Sequence, residues 1–374
     1  MTAAVSLDGR RVLVVAYGHV ADTMAAVPAL RSLRRAHPEA RIEALVLRSV
    51  APMLRRCPYV DELIVWDDFR HKGLRGARVE KAAVLAGLAT RVRRRRYDAV
   101  LVLHRSVHFF TRLAGLSGAA VRAGVFNGSE TYTHPAPPPA EIESSREENR
   151  RVLQAIGVTE DGGPLELWPD AEDEGWAEAF LPRSNGTPVV GLHPGSDWSC
   201  QQWLPDRWAA VGRRLQADFS ARIVITGSPG ERLLETEIAE ALAAPPIRAT
   251  GRTTLGQLVS LVRRLDLLIS VNSAPAAIAR AVGTPAVVLL GPEDPRLTAL
   301  AVGPRLRVLA PPQRFAPGSW CEFGRWGMRS SCESPMCRGI SGLDRLQPET
   351  VLAESALLLR PSTQSVWAAG ADRA

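Results

Sequence analysis

"DLLISVNSAPAAIARAVGTPAVVLL" occupies Asp266–Leu290. Its two apolar runs, residues 267–271 and 286–290, read as buried strands. Short unbroken apolar runs of this kind suit strands covered on both faces, as in a parallel sheet. Between them lie an Asn, a Ser, Pro275 and an alanine-rich helical pattern. A strand that runs straight into a helix with an almost bare first turn leaves backbone N–H groups open to close approach. Such an opening carries partial positive charge and takes a phosphate without a cation. The same residues also suit a plain strand-to-helix connection packed by small side chains. Ser273 reads as N-cap or hydroxyl donor, Ala274 leaves the backbone open, and Pro275 fits the first helical turn.

The same alternation extends in both directions. Strands are expected at residues 189–193, 223–226 and 306–309, with helices at 206–218, 231–242, 254–265 and 276–282. The first half repeats the pattern, with strands at 12–16, 42–47, 62–66, 99–103 and 121–125 and helices at 21–38 and 78–96. Alternating strand and helix predicts parallel sheets with helices on both faces. The rhythm breaks in a proline-rich loop at 134–143 and an acidic, aromatic, turn-rich stretch at 165–188. The boundary near 168–186 therefore divides an N-terminal unit, 1–170, from a C-terminal unit, 171–345. A helix at 346–360 is expected to pack back across both units, followed by a disordered tail at 361–374. Two such α/β units place their ligand at the carboxyl ends of the strands, in the cleft between them.

Within the C-terminal unit, "HPGSDWSCQQWLPDRW" is a second strand–turn–helix opening, with Gly195 and Ser196 at the cleft mouth. Two openings in one unit suit a diphosphate held from two sides. A third loop, "TGSPGERLLETEI", sets Glu231 at a helix start, where it either caps the helix or accepts hydrogen bonds from a ribose diol. Neither a P-loop nor a G-x-G-x-x-G run is present.

Composition removes several classes of function. The net charge is +7, and only Lys72 and Lys81 are lysine, so arginine supplies nearly all of the basic residues. The densest run, "RVRRRRYD" at 91–98, reads as a solvated helix end ahead of a strand. No nucleic-acid motif accompanies it, so no nucleic-acid partner is expected. The start lacks a signal-peptide pattern, and no run reaches the roughly 18–20 apolar residues of a membrane span. A cytoplasmic protein with at most peripheral membrane contact is expected. The odd set Cys57, Cys200, Cys321, Cys332 and Cys337 argues against a disulfide framework. The spacing of the last three fits zinc poorly, so free thiols are expected.

Four blocks carry a resemblance. "HPGSDWSCQQWLPDRWAAV", "ITGSPGERLLETEIAEAL", "DLLISVNSAPAAIARAVGTPAVVLLGPEDP" and "ADTMAAVPALRSLRRAHPEARIEALV" are similar to blocks of glycosyltransferase family 9, the heptosyltransferase type, in the family's order. The closing "CRGISGLDRLQPETVLAES" resembles the family's tail with an insertion. The resemblance implies a GT-B fold, two Rossmann-like domains facing a central cleft. It further implies an inverting, metal-independent transfer from a nucleotide-diphosphate sugar, with no other cofactor.

By the same resemblance Asp22, six positions before Pro28, is the catalytic base, and His19 is a second candidate base or its orienting partner. Read alone, Asp22 at the start of a predicted helix is the better candidate for an N-cap. Ser196, Ser273 and the backbone of Ala274 and Ala276 would meet the diphosphate, Glu231 the ribose and Thr253 the base. Gln201, Asn272, Ala274 and Ala277 stand where the family commonly carries Lys, Asp, Gly and His. These departures fall on the donor site, so an ADP- or a GDP-linked sugar fits. The acceptor is left open among a glycan, a lipid-linked sugar and a natural-product scaffold, in lipopolysaccharide core assembly or antibiotic tailoring. Arg48, Arg55, Arg56 and Arg105 are candidates for an anionic acceptor face. A binding protein without catalysis and a sugar-nucleotide epimerase are the alternatives.

Overall fold

The computed structural model describes residues 5–66, 78–103, 108–126, 128, 130–139, 143–183, 186–196, 201–291, 304–310 and 343–359. Cys200, Cys321, Cys332, Cys337 and Arg105 lie outside them, as does the tail beyond residue 359.

Among the described residues the strands form two all-parallel sheets of six. The first contains β1 (Arg11–Val15), β2 (Arg41–Leu47), β3 (Glu62–Trp66), β4 (Ala99–Val102), β5 (Val121–Val125) and β6 (His134–Ala136), in the order β3-β2-β1-β4-β5-β6. The second contains β7 (Val189–His193), β8 (Arg222–Ile225), β9 (Ile247–Arg248), β10 (Leu267–Val271), β11 (Ala286–Leu289) and β12 (Leu306–Leu309), in the order β12-β11-β10-β7-β8-β9. Counted from its own first strand, each unit has the same doubly wound order. In both, the chain reverses direction beside the first strand, between β1 and β4 and between β7 and β10. Ligands of such sheets lie outside the strand ends at that reversal.

The first unit carries α1 (Val20–Ala36), α2 (Ala51–Leu54), α3 (Arg78–Arg94), α4 (His108–Leu116) and α5 (Ser145–Ala155). There follow α6 (Ala171–Phe180), α7 (Pro205–Phe219), α8 (Arg232–Glu240), α9 (Leu255–Arg263), α10 (Ala274–Val282) and a C-terminal helix, Pro348–Leu359. α1 packs on α10, and α2 on α9, so helices of the two units meet directly. One apolar cluster runs from Val12, Leu30 and Leu45 in the first unit through to Val259, Ile278 and Val288 in the second. A separate cluster fills the other side of the second sheet, around Trp208 and Ile269.

The expected strands of both halves are present, because continuous apolar runs are what a doubly covered sheet requires. Two short edge strands were not legible. β6 lies inside the expected proline loop, where an edge position tolerates Pro135. β9 is only two residues long. The turn-rich stretch also contains α6. Asp170 accepts a hydrogen bond from the Asp173 N–H at 2.9 Å, and Glu172, Asp173 and Glu174 fill the first turn. The acidic residues therefore stabilise a helix start.

The C-terminal helix departs from expectation. It packs on α7 and beside β10 and β11, within the second unit, instead of crossing back to the first. Val351, Leu352, Leu358 and Leu359 join that unit's own core, which fixes its place.

The arginine-rich end of α3 is only partly solvated. Arg91, Arg93 and Arg94 are exposed, but Arg95 turns to Glu43 at 2.5 Å and Glu62 at 2.7 Å. Glu43, fully buried in β2, also accepts from Arg11 at 2.7 Å, Arg41 at 3.0 Å and the Tyr97 hydroxyl at 2.5 Å. Burial alone would raise its carboxyl pKa. The hydrogen bonds from Tyr97, Arg41 and Arg95 outweigh burial and hold it at about 2. Cys57 is a buried free thiol pushed up to about 12 by burial, so it is inert at neutral pH.

Candidate active site

Asp22 sits in the first turn of α1, just beyond the end of β1. It is not the cap. His19 takes the N-cap position, and no side chain caps this helix. The Asp22 carboxylate is instead set by two neighbours. Ser145, the first residue of α5, donates from Oγ to Oδ1 at 2.9 Å. On the other side the carboxylate lies against Gly18, where an added Cβ would fall 2.5 Å from Asp22 Cβ and 3.0 Å from Oδ2. Oδ2 has no hydrogen-bond partner among the described residues. No hydrogen bond joins His19 to Asp22 among them, and His19 is exposed. The orienting partner is therefore Ser145 and not His19.

Next to Gly18, Tyr17 enters an aromatic cluster. Its ring lies 4.5 Å from Phe110 and 5.7 Å from Trp66, and Trp66 stacks on Phe109 at 5.3 Å. This cluster walls the carboxyl ends of β1 and β3. Arg48, Arg55 and Arg56 are exposed.

In the second unit three loops converge beyond β7, β8 and β10. Of the two roles left open by the sequence, Glu231 takes the capping one. Its Oε2 accepts from the Ser228 N–H at 2.6 Å, closing a capping box with Ser228. Its carboxylate also lies over the Cα of Gly195, so closely that a Cβ there would overlap Oε1. Gly195 is thus bare to admit the Glu231 carboxylate. Oε1 has no hydrogen-bond partner among the described residues. Gly195→Ala is expected to displace this carboxylate and, on the expectation that Glu231 meets a ribose, to weaken nucleotide binding by about 1–3 kcal/mol, the scale of a lost charged hydrogen bond. Titration calorimetry with the nucleotide diphosphate checks it.

Ser196 donates to the buried Gln201 at 3.0 Å, and Gln202 Nε2 donates to the Ser196 carbonyl at 2.9 Å. The position that resemblance assigns to Lys is therefore a neutral amide tied to the turn. At α10, Ser273 holds the N-cap position, but its hydroxyl donates to the Val271 carbonyl at 3.3 Å and does not cap. The Ala276 N–H is used within the turn, by the Ser273 carbonyl at 3.1 Å, and Pro275 has none to offer. That leaves Ala274 as the first-turn donor for a ligand. Asn272 N–H pairs with Leu289 O at 3.1 Å. Thr253 lies one residue before the Thr254 cap of α9, with no hydrogen-bond partner among the described residues.

Three residues escaped the sequence reading. Ser145 gave no signal, since its contact spans 123 positions. Thr250, beside Gly227 and Glu231, is buried with its hydroxyl unpaired. His193 closes β7 and pairs through Nδ1 with the Thr226 hydroxyl at 2.9 Å. Its place in "HPG" was the available signal. Burial pushes the imidazole down to about 4, against a weaker lift from Thr226, so it is neutral at pH 7.

This has a sign for stability. His193 binds a proton more readily when unfolded, so stability falls as pH drops below about 6.5 toward 4. Glu43 and Asp161, the latter held at about 2 chiefly by its Arg31 hydrogen bond, add a second loss below about 4.5. Denaturant titrations between pH 7 and pH 3 are expected to show that two-stage decline, and His193→Gln should remove the first stage.

Among the described residues no three His, Cys, Asp or Glu side chains gather as a metal ligand set. Nor is any helix among them long and apolar enough to cross a membrane.

Residues 85–314 match the family model of glycosyltransferase family 9 (heptosyltransferase). The chain is 27% identical over 285 residues to lipopolysaccharide heptosyltransferase 3 of Escherichia coli, covering 73% of this chain and 81% of that one. Among solved structures it is similar to a family 9 glycosyl transferase from Veillonella parvula, with a TM-score of 0.79 at 23% identity, covering 95% and 99% of the two chains. It is also similar to the E. coli ADP-heptose lipopolysaccharide heptosyltransferase II, with a TM-score of 0.70 at 22% identity, covering 93% and 98%. The two-unit fold is thus the GT-B arrangement of these enzymes.

Proposed function

The chain belongs to glycosyltransferase family 9 and is a glycosyltransferase, and on that premise we propose that it moves a heptose from an ADP-linked donor to a hydroxyl of a glycan acceptor, with inversion and without a metal ion. The observation that carries this reading is the half-engaged Asp22 carboxylate. One oxygen is anchored, the other has no partner among the described residues, and its helix packs on α10, whose first turn no side chain among them caps.

In the reaction the acceptor oxygen attacks the anomeric carbon from the face opposite the diphosphate. Its proton passes to Asp22 Oδ2 as the new C–O bond forms. The bond from the anomeric carbon to the diphosphate oxygen breaks, and that oxygen keeps the electron pair. The charge it acquires is met by the α10 opening at Ala274 and by the turn at Gly195 and Ser196, which are already oriented. Glu231 Oε1 takes the ribose diol. The names of the relatives support ADP-heptose and a lipopolysaccharide core acceptor.

One observation favours a second reading. The Ser196–Gln201 pair is neutral where the family pattern carries Lys, so a GDP-linked hexose or heptose, delivered to a natural-product scaffold, also suits the pocket. The test is a panel of ADP-, GDP- and UDP-sugars, scored by thermal stabilisation and by diphosphate release with core-glycan acceptors. ADP-heptose is expected to lead on both, giving a product with inverted anomeric configuration. Leadership by a GDP-sugar would select the second reading. Stabilisation by none would leave a protein without donor chemistry, and free sugar formed without acceptor would point to an epimerase.

A further inference from the structure

The Asp22 carboxylate is oriented by a helix far away in sequence. α5 lies along α1 and addresses it at two points one turn apart. Ser145 Oγ donates to Asp22 Oδ1 at 2.9 Å, and Asn149 Nδ2 donates to the Ala25 carbonyl at 3.1 Å. Asn149 is buried. Ser145 does no capping, because Ser144 holds the N-cap position of α5 and accepts from the Glu147 N–H. Among the described residues the Ser145 hydroxyl therefore serves the carboxylate alone. Gly18 bounds the opposite side of Asp22. The side chain sits between a hydroxyl and a bare backbone, so its rotamer is defined from both directions.

We propose that Ser145 is a positioning residue for glycosyl transfer: by holding Oδ1 it aims Oδ2 at the acceptor hydroxyl. The inference rests on Asp22 being the base. A base must meet its proton within hydrogen-bond reach, and a misplacement of about 1 Å costs on the order of 10²-fold. Ser145 does not touch the reacting atoms, so its effect falls on turnover and not on donor binding.

The experiment is steady-state kinetics of Ser145→Ala and Ser145→Thr with ADP-heptose and a core-glycan acceptor, with thermal melting alongside. Ser145→Ala is expected to lower kcat by about 10–100-fold, with the KM for the nucleotide sugar and the melting temperature unchanged. Ser145→Thr, which keeps the hydroxyl, is expected to restore most of the rate. An unchanged kcat in Ser145→Ala overturns the proposal, as does a loss that Thr fails to rescue or one carried by the donor KM. Asp22→Asn, run in parallel, separates the two ideas. If that variant keeps full activity, the assignment of the base fails. If it loses activity while Ser145→Ala does not, only the positioning role fails.

Discussion

Asp22→Asn is expected to lower kcat by about 10²–10⁴-fold, the contribution of a positioned general base. The substitution is informative because it preserves shape. An asparagine oxygen still accepts from Ser145 Oγ, so the side chain keeps its place between Ser145 and Gly18. Only the second oxygen is replaced, by an amide nitrogen that takes no proton. Donor affinity should stay within about twofold, because the contacts proposed for the donor all lie in the second unit. The measurement is kcat and donor Kd on the same preparations. Transfer near the wild-type rate would remove Asp22 from the mechanism. A matching loss of donor affinity would show instead that the carboxylate supports the fold of the site.

The second large effect is on stability. Glu43→Gln is expected to destabilise the protein by about 1–3 kcal/mol, the scale of charged hydrogen bonds lost at a buried carboxylate whose arginine partners stay partly solvated. Glu43 is fully buried and joins Arg11, Arg41, Arg95 and Tyr97, which come from β1, β2 and the approach to β4. Glutamine retains the volume but leaves three guanidinium groups facing a neutral amide. The effect should appear as a lower denaturation midpoint, with kcat unchanged at temperatures where the protein is folded, since the cluster sits near the amino ends of the strands and the candidate site at the carboxyl ends. The variant should also lose part of the acid sensitivity below about pH 4.5 that Glu43 imposes. A midpoint equal to the parent's would mean that solvent replaces the cluster at no cost.

The sequence disclosed these features unevenly, and the reasons are physical. The central strands were legible because burial on both faces forces runs such as "RVLVV" and "LLISV", which no other local structure needs. The edge strands β6 and β9 were not, since an edge asks little of side chains and admits a proline. Asp22, Glu231 and the α10 opening could be named because each lies within a few residues of a strand end. Their partners could not. Ser145 meets Asp22 by helix packing, and the Glu43 cluster assembles from residues as far apart as 11 and 97. At Gly195 the structure adds a contact that the sequence did not suggest. A bare backbone was expected to admit a phosphate, whereas the group lying over it is the Glu231 carboxylate.

The apolar cluster that runs without a break from β1 and β2 into α9, α10 and β11 bears on how the protein behaves as a whole. Separable lobes on a swivel would each have a sealed interior, but here either half made alone would present its share of that seam to water. Heat or denaturant should therefore disassemble both halves in one cooperative event.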